Sequence, residues 1–222
     1  MTPIGVHEAA QPPATHDPGA DTRRADVARW LAGAAALWAM AVGALVLVGW
    51  ALDIEAFRAV EPGSVAMKAN TALCFVLAGA ALWALRTPQP TSSARRVAVA
   101  SAAVVALIGL LTLLEHRFSW ELGLDQLLFQ DPLPSGLPIA PGRMSVSAAL
   151  NWFMFGVALL LLDRPGTRAL SQVMALATLG FGFLALLGYL YGLYDPQQFD
   201  QVRVLSVMAM HTAVTFMVLA LT

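Results

Sequence analysis

Charged residues are scarce in this sequence. Asp, Glu, Lys and Arg make up 12% of its 222 residues, against roughly 25% in a soluble globular domain. So few charges cannot coat a soluble globule of this size, which excludes an ordinary soluble protein. The net charge of −1 gives no electrostatic reason to expect nucleic acid as a partner.

Several familiar signals are also missing. Cys74 is the single cysteine, so no intrachain disulfide can form. The first residues lack the basic start, short apolar core and small-residue cleavage site of a signal peptide. Residues 1–26 are rich in Pro, Ala, Asp and Thr, and we expect a disordered cytoplasmic tail there. The sequence has no Gly-rich phosphate loop, paired-cysteine metal site or nucleophile elbow, so no catalytic site is predicted within it.

Long apolar runs are what the sequence has in abundance. Hydrophobic residues make up 58% of the chain, in runs of about 19 to 26 residues, which is the length that crosses a bilayer. Spanning segments must be helical here, because lipid offers an open backbone no hydrogen-bond partners. We therefore predict an all-α membrane domain over 27–222. Its six predicted spans are 28–52, 67–85, 97–116, 144–162, 169–194 and 204–222.

An internal repeat divides these spans into three helical hairpins. The stretch Met67 to Phe75 recurs from Met144 to Trp152 and from Met208 to Phe216. Each copy opens the second span of a pair. The repeat aligns Asn70 with Ser147 and His211, and it aligns Cys74 with Asn151 and Thr215.

The arginines predict the orientation. Eight of the 13 basic residues lie in the tail, at the start of the first span or in the two short connections, whereas most acids lie in the other loops. By the positive-inside rule, the short connections and both termini are cytoplasmic, which predicts a multi-pass protein of the bacterial inner membrane. In the longest outer loop, 117–143, four apolar residues have amphipathic spacing and predict a short surface helix: Trp120, Leu124, Leu127 and Leu128.

The polar residues of the repeats form stripes, because positions four apart share a helix face. Three such stripes at one depth predict a polar cluster near the outer ends of the spans. The alternative is that these side chains only hold helices together through hydrogen bonds. The candidates from the repeats are Asn70, Ser147, Asn151 and His211.

Three further residues near the same depth join the candidate ligand-sensing site. Glu115 ends the third span, and Arg143 precedes the fourth. Tyr191 aligns with Glu115 when the third and fifth spans are overlaid on Gly109 and Ala185. An ion pair of Glu115 with Arg143 or Arg117 is the structural alternative.

Two other functions remain open at this point. No cofactor is predicted, but His116 and His211 are the residues that would hold haem b, or copper together with the methionines. The chain would then be a membrane redox protein. A small transporter is the other alternative. His211 is the only ionisable group between the ends of the spans, which weighs against ion coupling.

Five motifs together resemble a known kind of module, the multi-pass N-terminal membrane region of bacterial sensor histidine kinases and diguanylate cyclases, of the membrane-associated sensor type. They are Met-x-x-Asn-Thr-Ala-Leu-Cys-Phe (67–75), Leu-Leu-Glu (113–115) with Leu-Gly-Leu-Asp-Gln-Leu-Leu-Phe (122–129), Ala-Pro-Gly-Arg-Met (140–144), Leu-Gly-Tyr-Leu-Tyr-Gly (187–192) and Met-His-Thr-Ala (210–213).

This resemblance implies a sensory input in two-component or cyclic-dinucleotide signal transduction. In such proteins a kinase or cyclase output domain follows in the same chain on the cytoplasmic side, and the protein acts as a homodimer. The last span reaches Thr222 without a closing basic cluster. We therefore expect the sequence to continue into an output domain.

Overall fold

The described part of the chain is helical throughout. The computed structural model describes residues 18–60, 64–131, 140–162, 164–191 and 208–222, and these contain no strand. This confirms the predicted all-α class. The α-helices are α1 (Pro18–Ala51), α2 (Glu55–Arg58), α3 (Ala69–Leu85), α4 (Ser92–Phe118), α5 (Val146–Leu162), α6 (Arg168–Leu190) and α7 (Met210–Ala220).

Among the described residues, three helices have the length and composition to cross a membrane alone. They are α4, α6 and the Asp21–Ala51 part of α1, and they support a membrane protein. The helices α3 and α5 have 17 residues and α7 has 11. At about 1.5 Å per residue, 17 residues cover about 25 Å, less than the roughly 30 Å hydrocarbon core. The long helices alternate with the short ones.

Some predicted boundaries differ from the structure, and some lie outside it. Residues 18–26 of the predicted tail are helical, because α1 begins at Pro18, and proline suits the first position of a helix. Residues 1–17 of that tail, 192–194 of the fifth predicted span and 204–207 of the sixth lie outside the described residues.

The predicted surface helix in the long loop is wrong. The chain has only a 3-10 turn there, Leu124–Gln126. Ser119 and Gly123 adopt positive φ, which interrupts any helix. Leu127 is 74% exposed, so it does not lie on a buried face of the bundle.

Each long helix packs against the short helix that follows it, giving the pairs α1 with α3, α4 with α5 and α6 with α7. The three close approaches are equivalent. A Cβ on Gly43 would lie 2.5 Å from the Ala72 carbonyl oxygen. A Cβ on Gly109 would lie 2.6 Å from the Ala149 carbonyl oxygen, and one on Gly182 would lie 3.0 Å from the Ala213 carbonyl oxygen. Glycine therefore brings the two backbones of each pair together.

The pairs close into a ring. Each short helix also contacts the long helix of a neighbouring pair: α3 packs on α4, α5 on α6, and α7 on α1. The Ser171 hydroxyl donates to the Ala158 carbonyl oxygen across one of these interfaces, at 2.8 Å. The short helices consequently form the inside of the bundle.

Three aromatic rings from the short helices fill the centre. Phe75, Trp152 and Phe216 are fully buried. Their ring centroids are 4.5 Å apart for Phe75 and Trp152, 4.5 Å for Trp152 and Phe216, and 5.1 Å for Phe75 and Phe216. These separations are typical of attractive aromatic pairs. The three residues are aligned in the sequence repeat, so the repeat marks the axis of the bundle.

Candidate functional site

The candidate site lies at the end of the bundle that carries segments 52–68 and 119–145, called here the long-loop end. Each short helix starts there, two residues after the aligned methionine: α3 after Met67, α5 after Met144, and α7 after Met208. All three methionine side chains are buried. The repeat therefore fixes where the short helices begin.

A hydrogen bond from the long helix clamps each methionine carbonyl. The three clamps run from Trp50 Nε1 to Met67 O (3.0 Å), from His116 Nε2 to Met144 O (2.9 Å) and from the Tyr189 hydroxyl to Met208 O (2.8 Å). They stabilise the junction at which the chain enters each short helix, because an unpaired backbone carbonyl is costly away from water.

Sequence reasoning missed these clamps. Trp50, His116 and Tyr189 each stand seven residues after a glycine that contacts the short helix, namely Gly43, Gly109 and Gly182. The sequence therefore marks these donors only by their constant distance from the glycine, because the three residue types differ. All three side chains offer a donor. His116, a candidate haem or copper ligand by sequence, donates its Nε2 hydrogen to the Met144 carbonyl oxygen and does not present that nitrogen to a metal.

Counting from the same glycines shows that Glu115 is a carboxylic acid at a position where the other two long helices have glycine. It stands six residues after Gly109, where the other two pairs have Gly49 and Gly188. The overlay of Gly109 on Ala185 is wrong, because Gly109 makes the contact that Gly182 makes. Tyr191 is therefore not the counterpart of Glu115, and its side chain is 73% exposed.

Glu115 is the centre of a buried ionic cluster. Its side chain is 0% exposed, and Oε1 accepts the Leu122 backbone N–H at 3.0 Å. Arg143 Nη2 lies 3.8 Å from Glu115 Oε1, and Arg143 Nε donates to Asp125 Oδ2 at 2.7 Å. The same guanidinium donates to the Trp120 carbonyl oxygen at 3.0 Å. The predicted proximity of Glu115 and Arg143 is thus present, and Asp125 joins them.

A second ion pair ties the long loop to a different helix pair. Lys68, the residue before α3, lies 2.5 Å from Asp131 Oδ2. The Gly142 N–H also donates to that oxygen, at 3.2 Å. Phe129 stacks on Trp50, with ring centroids 6.2 Å apart. The loop therefore covers the first pair as well as its own.

The cluster around Arg143 contains two carboxyl groups and one guanidinium. Glu115 and Asp125 share one guanidinium, and the Asp125 side chain is only 6% exposed. Glu115 Oε2 and Asp125 Oδ1 are buried without a hydrogen-bond partner in the described part of the chain. Buried charges are costly unless every lone pair is matched. This end of the bundle therefore holds an arrangement that is sensitive to any added proton, cation or donor.

The polar stripes of the three repeats occupy equivalent positions on α3, α5 and α7. On each short helix the aromatic residue faces the axis, and the alanine that contacts glycine faces the paired helix. Helical geometry puts the polar stripe on another side of the same helix. Asn151 shares a face with Ala158, whose carbonyl oxygen accepts from Ser171 of α6. The meeting of Asn70, Ser147 and His211 in one cluster stays a prediction.

Within these stripes several polar atoms have no partner among the described residues: Asn70 Nδ2, both amide atoms of Asn151 and both ring nitrogens of His211. The Ser147 hydroxyl forms a hydrogen bond with the Ser145 hydroxyl, at 3.1 Å. The Thr215 hydroxyl donates to the His211 carbonyl oxygen at 2.7 Å. The stripes thus supply buried hydrogen-bonding capacity, and within the described part of the chain no hydrogen bond joins one stripe to another.

Among the described residues no three His, Cys, Asp or Glu side chains are grouped closely enough to hold a metal ion. The chain matches no protein-family model, and searches of curated proteins and of solved structures found no match either. The chemistry of the long-loop end therefore carries the functional argument.

Proposed function

We propose that this chain is the membrane-embedded sensory input module of a bacterial signal-transduction protein, controlling a cytoplasmic histidine kinase or diguanylate cyclase. This proposal rests on the buried Glu115–Asp125–Arg143 cluster, which fastens the long loop to α4. The Lys68–Asp131 ion pair ties the same loop to the start of α3. The residues that resemble membrane-associated sensor regions include Glu115, Asp125 and Arg143, so the resemblance and the cluster concern the same place.

We also propose the finer topology. All six apolar helices cross the bacterial inner membrane as three repeated hairpins. The extended residues before α3, α5 and α7 would complete the crossing of these short helices, because Met67, Met144 and Met208 are buried in the protein and not exposed to lipid. The arginines of the short connections support a cytoplasmic location for these connections, by the positive-inside rule. A homodimer and an output domain in the same chain follow from the resemblance.

The proposed mechanism is a change in the long-loop end that moves the inner helices. A ligand or proton that matches Glu115 Oε2 or Asp125 Oδ1 would favour one arrangement of the loop over another. Such a signal needs different affinity for the two arrangements. The ring contacts and the aromatic centre would then pass the change to α7. The unpaired atoms of Asn70, Asn151 and His211 lie on the short helices that would move.

A chimera tests this function. Residues 1–222 would replace the membrane region of a diguanylate cyclase that carries the same motifs, and cyclic di-GMP would be measured in cells. We expect Glu115→Gln and Arg143→Gln to change the output by at least about fivefold, the low end of allosteric coupling.

Glu121→Gln is the matched control, because Glu121 is an exposed acid of the same loop. Its output should equal that of the unsubstituted chimera. Membrane fractionation would show that all variants are inserted in equal amounts. Equal cyclic di-GMP in all four chimeras would refute the sensory role of the cluster.

A further inference from the structure

A second feature lies at the opposite end of the bundle, which carries segments 86–91 and 164–167 and is called here the short-loop end. There α4 begins at Ser92, after Thr91 caps it by accepting the Ala94 N–H at 3.2 Å. One face of α4 forms an open groove of about 730 Å³. Its lining residues are Ser92, Arg95, Arg96, Val99, Ala100 and Ala103.

The groove faces away from the bundle. Ala98, Ala102 and Val105 lie on the opposite side of α4 and are buried in the core. All six residues that line the groove are exposed, including the apolar Val99. Since α4 is one of the helices of membrane-spanning length, this outward face of the helix would meet lipid.

The groove changes from cationic to apolar along the helix axis. Arg95 and Arg96 lie near the helix start, and Val99, Ala100 and Ala103 follow. At a rise of about 1.5 Å per residue, Arg95 and Ala103 are about 12 Å apart along the axis. The two alanines leave a depression where larger side chains would form a ridge. This order matches a molecule with a charged head and an apolar chain.

The sequence around the start of α4 is basic. The sequence from Arg86 to Leu114 contains three arginines, Arg86, Arg95 and Arg96, and no Asp or Glu. A guanidinium matches phosphate oxygens in geometry and charge. Basic clusters next to a spanning helix attract anionic lipid head groups.

We infer that this groove binds one anionic phospholipid. The phosphate lies at Arg96 and Arg95 beside the Ser92 hydroxyl, and an acyl chain lies along Val99, Ala100 and Ala103. This site is independent of the sensory cluster, which lies at the other end of α4.

Native mass spectrometry of the purified 222-residue chain in detergent tests the inference. The probes are phosphatidylglycerol and phosphatidylcholine with identical acyl chains, supplied in equal amounts. The unsubstituted chain should retain phosphatidylglycerol preferentially. Arg96→Gln should lower that preference by about fivefold, and adding Arg95→Gln should lower it by a similar factor again, since each basic residue near the head group contributes comparably.

Two further variants separate the groove from general charge attraction. Arg23→Gln with Arg24→Gln removes two exposed arginines of α1 at the same end of the bundle, and retention should not change. Ala100→Leu with Ala103→Leu fills the groove and keeps both arginines, and retention of phosphatidylglycerol should fall. Circular dichroism would confirm that each variant is folded. Equal losses in the α1 and α4 arginine variants, or unchanged binding in the filled groove, would overturn the site.

Discussion

At the scale of single residues, the hydrogen-bond clamps make a sharp prediction. Tyr189→Phe removes only the hydroxyl that donates to Met208 O. We expect it to lower the free energy of unfolding by about 1 kcal/mol, since a buried carbonyl loses its donor. Denaturant titration in detergent micelles, followed by circular dichroism, would measure it.

Tyr191→Phe is the control, because Tyr191 is 73% exposed. Its unfolding free energy should equal that of the unsubstituted protein. A loss of the same size in both variants would mean that the Tyr189 clamp contributes nothing particular.

The contact glycines give a second prediction at this scale. Gly109→Ala would place a Cβ 2.5 Å from the Phe153 backbone nitrogen and 2.6 Å from the Ala149 carbonyl oxygen. Backbone atoms cannot move aside cheaply, so we expect destabilisation of about 1 to 3 kcal/mol, as for other overpacked positions. The measurement is again equilibrium unfolding.

Gly180→Ala serves for comparison, since a Cβ there meets nothing within 4 Å. Alanine favours the helix by up to about 1 kcal/mol over glycine, so this variant should be no less stable than the parent. The reverse order of the two variants would contradict the close approach of α4 and α5.

Residue patterns predicted the site in part. The pairing of Glu115 with Arg143 was open to inference, because both are charges at the ends of neighbouring apolar runs. The hydrogen-bond clamps could not be inferred, because Trp50, His116 and Tyr189 are different residue types. They have in common only a side-chain donor and an equivalent position on the long helix. Asp125 was also missed, since nothing local marks a loop carboxylate that folds back on Arg143.

At the scale of elements, the long loop depends on its ion pairs. Lys68→Met breaks the bond to Asp131, whose side chain is 13% exposed. Because the remaining carboxylate stays partly buried without its cation, we expect the loop to detach from α3. Limited proteolysis in micelles should then cut within 119–143 several times faster.

The pair of Arg58 and Asp53 provides the matched control. Asp53 is 90% exposed, and exposed pairs contribute little. Asp53→Asn should therefore leave the cutting rate of 119–143 unchanged. An unchanged rate in Lys68→Met would show that the loop is held by its other contacts alone.

The elements were predictable to different degrees. Helix α3 was expected at 67–85 and is Ala69–Leu85, because an apolar run in lipid has no alternative to the helix. The amphipathic spacing at Trp120 and Leu124 predicted a helix that does not form, because hydrogen bonds to distant residues determine the path of that segment. The Leu122 N–H goes to Glu115 and the Trp120 carbonyl to Arg143, so neither group follows a helical pattern.

At the scale of the whole molecule, the proposed topology can be measured by cysteine labelling. Cys74 is fully buried, so Cys74→Ala gives a background without thiols. Single cysteines at Gln89, Glu121 and Pro165 would report three exposed loop positions. In spheroplasts, a membrane-impermeant maleimide should label position 121 alone.

Labelling of positions 89 and 165 should require disruption of the membrane. Labelling of both 121 and 165 in intact spheroplasts would show that α5 does not cross. The proposed six spans would then be wrong, while the three long helices would stand.

The aromatic rings on the axis have a further mechanical consequence. Phe75, Trp152 and Phe216 touch each other in every combination, one from each helix pair. A pair cannot rotate on its own, because its ring would collide with the other two. The layer also blocks solute permeation along the axis unless the rings move aside. A movement of any one helix pair about its own axis would therefore displace the aromatic rings of the other two.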